Sequence, residues 1–279
     1  MWTVSVVVST YNRADQLRLC IAALEAQSRP PDEVMIADDG SRPEHVRAIE
    51  AIVRSSPLRI LHAWQEDLGF RLAGSRNGAV RRASGAYLFF LDGDVVLFPD
   101  SLEQHMKLSR ADRWLTGDAV RLSPEETGRV TQEAILSRRL AELWPEPADP
   151  RVLKLRRFGR RFRFRMWRAR LWPSERFRSR IWMWGLQMSM PRAVFERVNG
   201  FDEGFHGWGY EDKDLGLRLQ LAGYRGRTVI GRSRAFHLWH EVVPRPRHNK
   251  DYFYRPRHGQ FRCCRGLVQE PPPEEAQAP

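Results

Sequence analysis

Hydrophobic positions along the first 120 residues follow two periods in turn. Val4 to Val8 is a β-branched run broken only by Ser5, the pattern of a strand covered on both faces of a parallel sheet. Leu17, Cys20, Ile21 and Leu24 then recur at helical spacing, with Asn12 and Asp15 as opening residues and Pro30 and Pro31 as the stop. Val34 to Ala37 predicts a second strand ending in Asp38-Asp39-Gly40-Ser41, and Pro43 to Arg54 a helix. Arg59 to His62 predicts a third strand and Ala73 to Arg82 a further helix. Tyr87 to Leu91 is a fourth strand, running into Asp92-Gly93-Asp94. Alternating strand and helix predicts an α/β fold with a mostly parallel, Rossmann-like sheet flanked by helices. Both acidic clusters fall at strand carboxyl ends, where such sheets bind ligands.

Beyond the middle of the chain the pattern resumes. Trp184 to Met190 is apolar, Pro191 suits a helix start, and Ala193 to Val198 fits that helix. A glycine-rich stretch, Gly204 to Gly209, precedes a helix over Asp212 to Ala222. Val229 to Phe236 reads as a strand leading into His237-Leu238-Trp239-His240, and Pro271 onward as a disordered tail.

Charge changes the picture only in one place. The formal net charge is +12, and Arg151 to Trp182 carries all of that excess, with thirteen Lys or Arg against the single acid Glu175. Seven aromatics, Phe158 to Trp182, are interleaved with these arginines. Residues 161–165 alternate with period two, whereas Phe164, Trp167 and Leu171 fit a helix, so the secondary structure stays open. Three readings stand: contact with an anionic membrane or lipid-linked acceptor, a solvated insertion whose aromatics pack on the parent domain, and nucleic-acid binding. The remaining composition, 42% hydrophobic, is that of a folded protein. Three cysteines without metal-ligand spacing exclude a disulfide framework or zinc cluster. The first apolar run lacks a basic lead-in and is short for a signal segment, and no stretch approaches the roughly 20 apolar residues of a membrane span.

Three constellations carry chemistry. Asp92-Gly93-Asp94 follows a hydrophobic strand, where a hard divalent ion would compensate the carboxylates and neutralise a diphosphate; an ordinary turn is the alternative. His237 and His240 are close enough to share one ion, and imidazole favours Mn²⁺ over Mg²⁺; half-buried histidines beside Trp239 are the alternative. Glu211 and Asp212 open a helix after a glycine-rich loop, either as helix-dipole partners or as a general base beside a bound hydroxyl.

In this order the motifs resemble an inverting, metal-dependent glycosyltransferase of the large family 2 type with the GT-A fold. The resemblance rests on residues 4–13, Ile36 to Ser41, Ser75-Arg76-Asn77-Gly78 and Asp92-Gly93-Asp94. Residues 199–203 and 207–215 are similar to the matching stretch of β-1,4-galactosyltransferases and bacterial chondroitin-type polymerases. It implies a nucleotide-sugar-binding core at 1–120, a basic insertion at 121–182, a catalytic and acceptor region at 183–243 and an extension at 244–279.

The resemblance assigns Thr10, Tyr11 and Asp39 to the uracil pocket, with Asp38 supporting the turn, and Arg71 and Arg76 to the stretch facing nucleotide and phosphates. Asp92 would contact ribose or donor sugar, and Asp94, His237 and His240 would hold Mn²⁺, with Mg²⁺ as the alternative. Asp212 would be the base, Glu211 a sugar-hydroxyl ligand and Trp208 a sugar platform. Tyr210 stands where glycine is commoner, and the basic insertion is absent from the simplest members. The implied activity is transfer from a UDP-sugar (galactose, glucose or N-acetylhexosamine) to an acceptor hydroxyl of a glycan or lipid-linked acceptor. The implied setting is bacterial surface polysaccharide or glycolipid synthesis, in the cytoplasm or at the inner membrane face, with no nucleic acid. Two rivals are a metal-dependent nucleotidyltransferase and a non-catalytic protein that binds anionic surfaces or nucleic acid.

Overall fold

The computed structural model describes residues 2–241, 249–255, 257 and 259–271; the expected tail beyond Pro271 lies outside them. A seven-stranded sheet forms the centre. Its elements begin β1 (Val4–Thr10), α1 (Ala14–Glu25), β2 (Glu33–Asp38), α2 (Pro43–Ser55), β3 (Ile60–Trp64), α3 (Leu72–Arg82) and β4 (Tyr87–Asp92). There follow β5 (Val95–Leu97), α4 (Ser101–Leu108), β6 (Arg113–Gly117), β7 (Val120–Arg121), α5 (Pro124–Gly128) and α6 (Gln132–Leu136). The remainder is α7 (Pro150–Leu171), α8 (Glu175–Arg178), β8 (Gln187–Pro191), α9 (Arg192–Arg197), α10 (Glu211–Leu221), β9 (Arg225–Thr228), β10 (Ala235–His237) and α11 (Asn249–Tyr254).

The sheet order is β3-β2-β1-β4-β8-β6-β9, with β8 antiparallel to both its neighbours and the first four strands parallel. β1 is fully buried because both its faces are covered. Val4, Val6 and Val8 pack with Leu17, Ile21 and Leu24 of α1 and Ile49 and Ile52 of α2. Val7 packs on the other side with Val80 of α3, Phe195 of α9 and Leu215 of α10. Burying each such side chain is worth about 1.5–3 kcal/mol, above the ~1 kcal/mol spread of strand propensity. The apolar run therefore sets the strand, and Ser5 is tolerated because its hydroxyl donates to Glu33 Oε1 at 2.6 Å.

A second, three-stranded sheet, β5-β10-β7, positions the site. His237 pairs in register with Val95, directly after Asp94, and Leu238 N donates to the Asp94 carbonyl at 2.9 Å. Two segments more than 140 residues apart are thereby locked side by side.

The structure corrects two local expectations and settles one that the sequence leaves open. Asn12 does not open α1: it has φ +51°, and its Oδ1 accepts from Arg42 N at 2.8 Å, tying the β1 and β2 ends together. Val229 to Phe236 is not one strand, because Gly231 at φ +87° turns the chain between β9 and β10. The basic insertion is helical. Val152, Gly159, Phe162 and Ala169 face inward on α7, and Phe162 meets Trp114 edge-on at 5.7 Å. Two residues on, Phe164 points away, so the period-two run of arginine and phenylalanine was coincidental.

Candidate active site

The carboxyl ends of β1, β2 and β4 form one rim. At β2, Asp38 is fully buried; its Oδ1 accepts from Ser41 N at 2.8 Å and its Oδ2 lies 2.9 Å from His62 Nε2. This holds the Gly40 turn, whose φ of +96° and close approach to the Asp67 backbone leave no room for a side chain. Asp39 accepts from Gln65 Nε2 at 2.6 Å and Arg71 N at 2.7 Å, and burial pushes its carboxyl up to about 6. Thr10 is buried with its hydroxyl unpartnered among the described residues, while Tyr11 is exposed and donates to Asp67 Oδ2 at 2.9 Å. Arg71 donates through Nη2 to the Glu66 carbonyl. Thr10, Tyr11, Asp39 and Arg71 thus surround one rim segment.

Asp94, His237 and His240 form the second cluster, with one ligand-capable atom from each lying within 4.8 Å of the others. His240 Nε2 is 3.3 Å from Asp94 Oδ2 and His237 Nε2 is 3.7 Å from Asp94 Oδ1. Asp94 Oδ1 is buried and has no hydrogen-bond partner among the described residues. A carboxylate oxygen in that state, beside two imidazoles, fits a divalent transition ion.

Arg13 intrudes on this cluster. Its Nη1 donates to Asp94 Oδ2 at 2.8 Å, and its Nη2 lies 3.0 Å from His240 Nδ1. Arginine only donates, so this contact requires the Nδ1 lone pair and places the imidazole proton on Nε2. The Glu241 carbonyl is also 3.0 Å from Nδ1 and favours the opposite tautomer, which frees Nε2 as a ligand. His240 is therefore poised between a form that binds Arg13 and a form that can bind a metal.

The third cluster is built on Arg76. Its guanidinium is fully buried, donating from Nη1 to Asp212 Oδ1 at 2.8 Å and from Nη2 to Asp92 Oδ1 at 2.7 Å. It also lies 5.2 Å over the Phe201 ring. One cation thus links the acid two residues before Asp94 to the acid at the start of α10. On its other side the Asp212 Oδ2 occupies space that Gly185 leaves free: a Cβ built at Gly185 would meet it at 1.9 Å, so a larger residue would displace the carboxylate. Burial raises the carboxyl of Asp212, against the lowering influence of Arg76. Burial pushes Asp92 up to about 6, and pushes Glu211 up to about 8 with the Asp212 charge adding to it.

Glu211 is thus a neutral carboxylic acid near pH 7, able to donate a hydrogen bond. A carboxyl raised in the folded state stabilises the protein fully below its ordinary value near 4.5, and that contribution is lost as pH climbs through about 8. The groups acting on it are Asp212, Arg76 and Asp92. In thermal unfolding between pH 4.5 and 9, the melting temperature of Glu211→Gln relative to wild type should rise across that window. A constant offset between the two proteins would show that Glu211 ionises normally.

Helix α10 is fixed from below. Asp214 is fully buried between Arg218, at 2.6 Å, and Arg257, while Arg218 donates to the Val198 and Gly200 carbonyls at 2.7 and 2.9 Å. The glycine-rich loop is fixed from above. Asn249 Nδ2 donates to the Gly207 and Gly209 carbonyls at 3.1 and 2.9 Å, and Gly207 N donates to the Phe70 carbonyl at 3.0 Å. Trp208 stands 47% exposed on this loop, between two glycines at φ +80° and +92°. Tyr210, at φ +76°, turns inward, its ring 5.4 Å from Phe253 and 6.1 Å from Trp182.

Sequence reasoning placed the acids and histidines but not Arg13, Gly185 or Asn249. Arg13 did lie in a recognisable stretch; Asn249 lies in the extension, and nothing in the sequence pairs Gly185 with Asp212. Arg76, expected to face nucleotide and phosphates, is engaged on both sides by carboxylates.

Comparison with known proteins accords with this architecture. The family model for glycosyl transferase family 2 matches residues 5–178, and the one described as the N-terminal domain of galactosyltransferase matches residues 173–258. The chain is 35% identical over 232 residues to validoxylamine A glucosyltransferase of Streptomyces hygroscopicus subsp. limoneus, covering 78% of this chain and 48% of that protein. It is 29% identical over 252 residues to chondroitin synthase of Escherichia coli, covering 84% and 34%. The chain thus spans half or less of these relatives' lengths. Among solved structures, the mannosyltransferase PcManGT from Pyrobaculum calidifontis, in complex with GDP-Man and Mn²⁺, superposes with a TM-score of 0.55 at 20% identity, over 90% of this chain and 59% of that one. The sheet and its flanking helices are those of GT-A-like enzymes, and the chain belongs to glycosyl transferase family 2.

Proposed function

We propose that the protein is a metal-assisted, inverting glycosyltransferase that moves a hexosyl group from a UDP-sugar to an acceptor hydroxyl in the synthesis of a surface polysaccharide or glycolipid. The observation that carries this reading is the chain of contacts Asp212–Arg76–Asp92, which brings a carboxylate base to within one guanidinium of the arm bearing Asp94. The acceptor oxygen attacks the anomeric carbon, Asp212 takes the hydroxyl proton, and the bond from that carbon to the diphosphate oxygen breaks on the opposite face. Arg76 holds the Asp212 carboxylate through a hydrogen bond, and Gly185 leaves free the space that its Oδ2 occupies. Neutral Glu211 donates to a sugar hydroxyl, and Trp208 offers an exposed ring for a sugar face. Asp39, Thr10 and Tyr11 bind the base of the nucleotide, Arg71 lies along the same rim, and Asp92 reaches the ribose or donor sugar. Asp94, His237 and His240 would hold Mn²⁺, which when bound stabilises negative charge on the departing diphosphate. Relatives that are named glucosyltransferase and chondroitin synthase support a hexosyl donor.

The test is nucleotide release from UDP- and GDP-sugars with and without Mn²⁺, alongside Mn²⁺ binding followed by electron paramagnetic resonance. Wild type should release UDP in a Mn²⁺-dependent manner. His240→Ala should bind Mn²⁺ at least tenfold more weakly, and Arg13→Ala, which leaves His240 to the Glu241 carbonyl, should bind it several-fold more tightly without nucleotide. Unchanged Mn²⁺ affinity in His240→Ala removes that ligand; no release from any nucleotide sugar removes the proposed activity.

A further inference from the structure

The catalytic reading leaves the basic insertion without a task, and α7 gives it a definite shape. From Pro150 to Leu171 the helix carries ten Lys or Arg and no acid. One side is committed to the fold: Val152, Gly159, Phe162 and Ala169 are buried, and Gly159 sits against Ile230 so closely that a Cβ would lie 3.3 Å from it. The opposite side carries a second apolar stripe. Leu153, Phe164, Trp167 and Leu171 lie within about 60° of one another around the helix, and the span from 153 to 171 is five turns, about 27 Å. These four and Trp172, at the helix end, are 44–58% exposed.

Basic residues flank that stripe, and Arg160 interrupts it between Leu153 and Phe164. Lys154, Arg156, Arg157, Arg160, Arg161, Arg163, Arg168 and Arg170 are all exposed. The Arg168 guanidinium lies 5.9, 5.5 and 5.2 Å from the Phe164, Trp172 and Phe177 rings, which gathers the aromatics at the C-terminal half of the helix. A solvated charged face has no need of this apolar row, and stacking on bases has no use for Leu153 and Leu171. An interface that is apolar within and phosphate-bearing at its boundary matches both features.

We propose that the outward face of α7 docks on an anionic lipid bilayer, with Phe164, Trp167, Leu171 and Trp172 in the headgroup boundary and the flanking arginines on lipid phosphates. Among the described residues no helix is long and apolar enough to cross a membrane, so the contact is one of surface seating. The inward side of α7 connects to the candidate site. Phe158 stacks edge-on to Trp184 at 5.3 Å, Trp184 lies 5.7 Å from Trp182, and Trp182 lies 6.1 Å from Tyr210 at the start of α10. The docking stands independently of the catalytic assignment.

The experiment is co-sedimentation of the whole protein with phosphatidylcholine vesicles and with vesicles containing phosphatidylglycerol, with Trp fluorescence read in parallel. Anionic vesicles should capture the protein at least tenfold better than neutral ones and shift its emission to the blue. Phe164→Ser with Trp167→Ser should cut capture about tenfold while leaving the melting temperature and Mn²⁺ binding unchanged. Should that double variant fail to fold, Arg156→Gln, Arg160→Gln and Arg163→Gln together give the second arm, with the same loss expected. Absence of capture, or capture that the serine pair leaves intact, overturns the proposal. Salt-steep binding to an RNA probe without vesicle capture overturns it in favour of nucleic acid.

Discussion

Asp212→Asn should lower kcat by about 10²–10⁴-fold, the usual contribution of a positioned general base, and leave UDP affinity within about twofold of wild type. The substitution keeps the shape of the site, though it also removes the charge that helps raise Glu211. The amide oxygen can still accept from Arg76 Nη1, and the amide nitrogen replaces Oδ2 in the space that Gly185 leaves open. What is lost is the ability to accept a proton, which is needed only as the acceptor oxygen attacks. An interaction made only in the transition state lowers kcat and kcat/KM together. Steady-state kinetics and UDP titration separate the two effects. Equal turnover would pass the role of base to another group. A parallel loss of UDP affinity would show Asp212 to be holding the site together. Gly185→Ala is the steric counterpart: it should cut kcat by displacing a carboxylate that remains fully basic.

How much of this could be read from sequence depends on the range over which each feature is determined. The parallel strands were legible because burial on two faces leaves a β-branched run, as at Val4 to Val8. The acids at 38, 39 and 92 were legible because they follow such runs, at sheet ends where ligands bind. His237 and His240 were legible as a pair, but their meeting with Asp94 depends on the β5–β10 pairing, which no local pattern encodes. Arg13 shows the same limit: it sits at the edge of a recognisable motif, yet its partners lie 81 and 227 residues away. Asn12 misled because asparagine suits both a helix cap and a left-handed turn, and the contact with Arg42 decided between them. The basic insertion stayed open because arginine gives no period of its own. Its inward stripe became clear only against Trp114 and Ile230.

Arg76→Met should destabilise the protein by about 3–5 kcal/mol near pH 8, the cost of stranding buried charge when one partner is removed. Arg76 is the nearest compensating charge for three carboxyls, lowering Asp92, Asp212 and Glu211 against burial. Without it all three rise further. A carboxyl raised in the folded state contributes its stability below the ordinary carboxylate range and loses it as pH climbs. The difference between wild type and Arg76→Met should therefore be small near pH 4.5 and grow toward pH 8. Urea unfolding at several pH values measures it. Adding Asp212→Asn to Arg76→Met should recover part of the loss, because one stranded acid is gone and the two residues are in contact. If the loss is the same at pH 4.5 and 8, the methionine is felt as a packing defect beneath Phe201 rather than as missing charge, and Arg76 is then a structural filler. If the loss grows with pH, the residue that orients the proposed base is also the one that lets three acids share a dry pocket, and the site cannot gain catalytic acids without it.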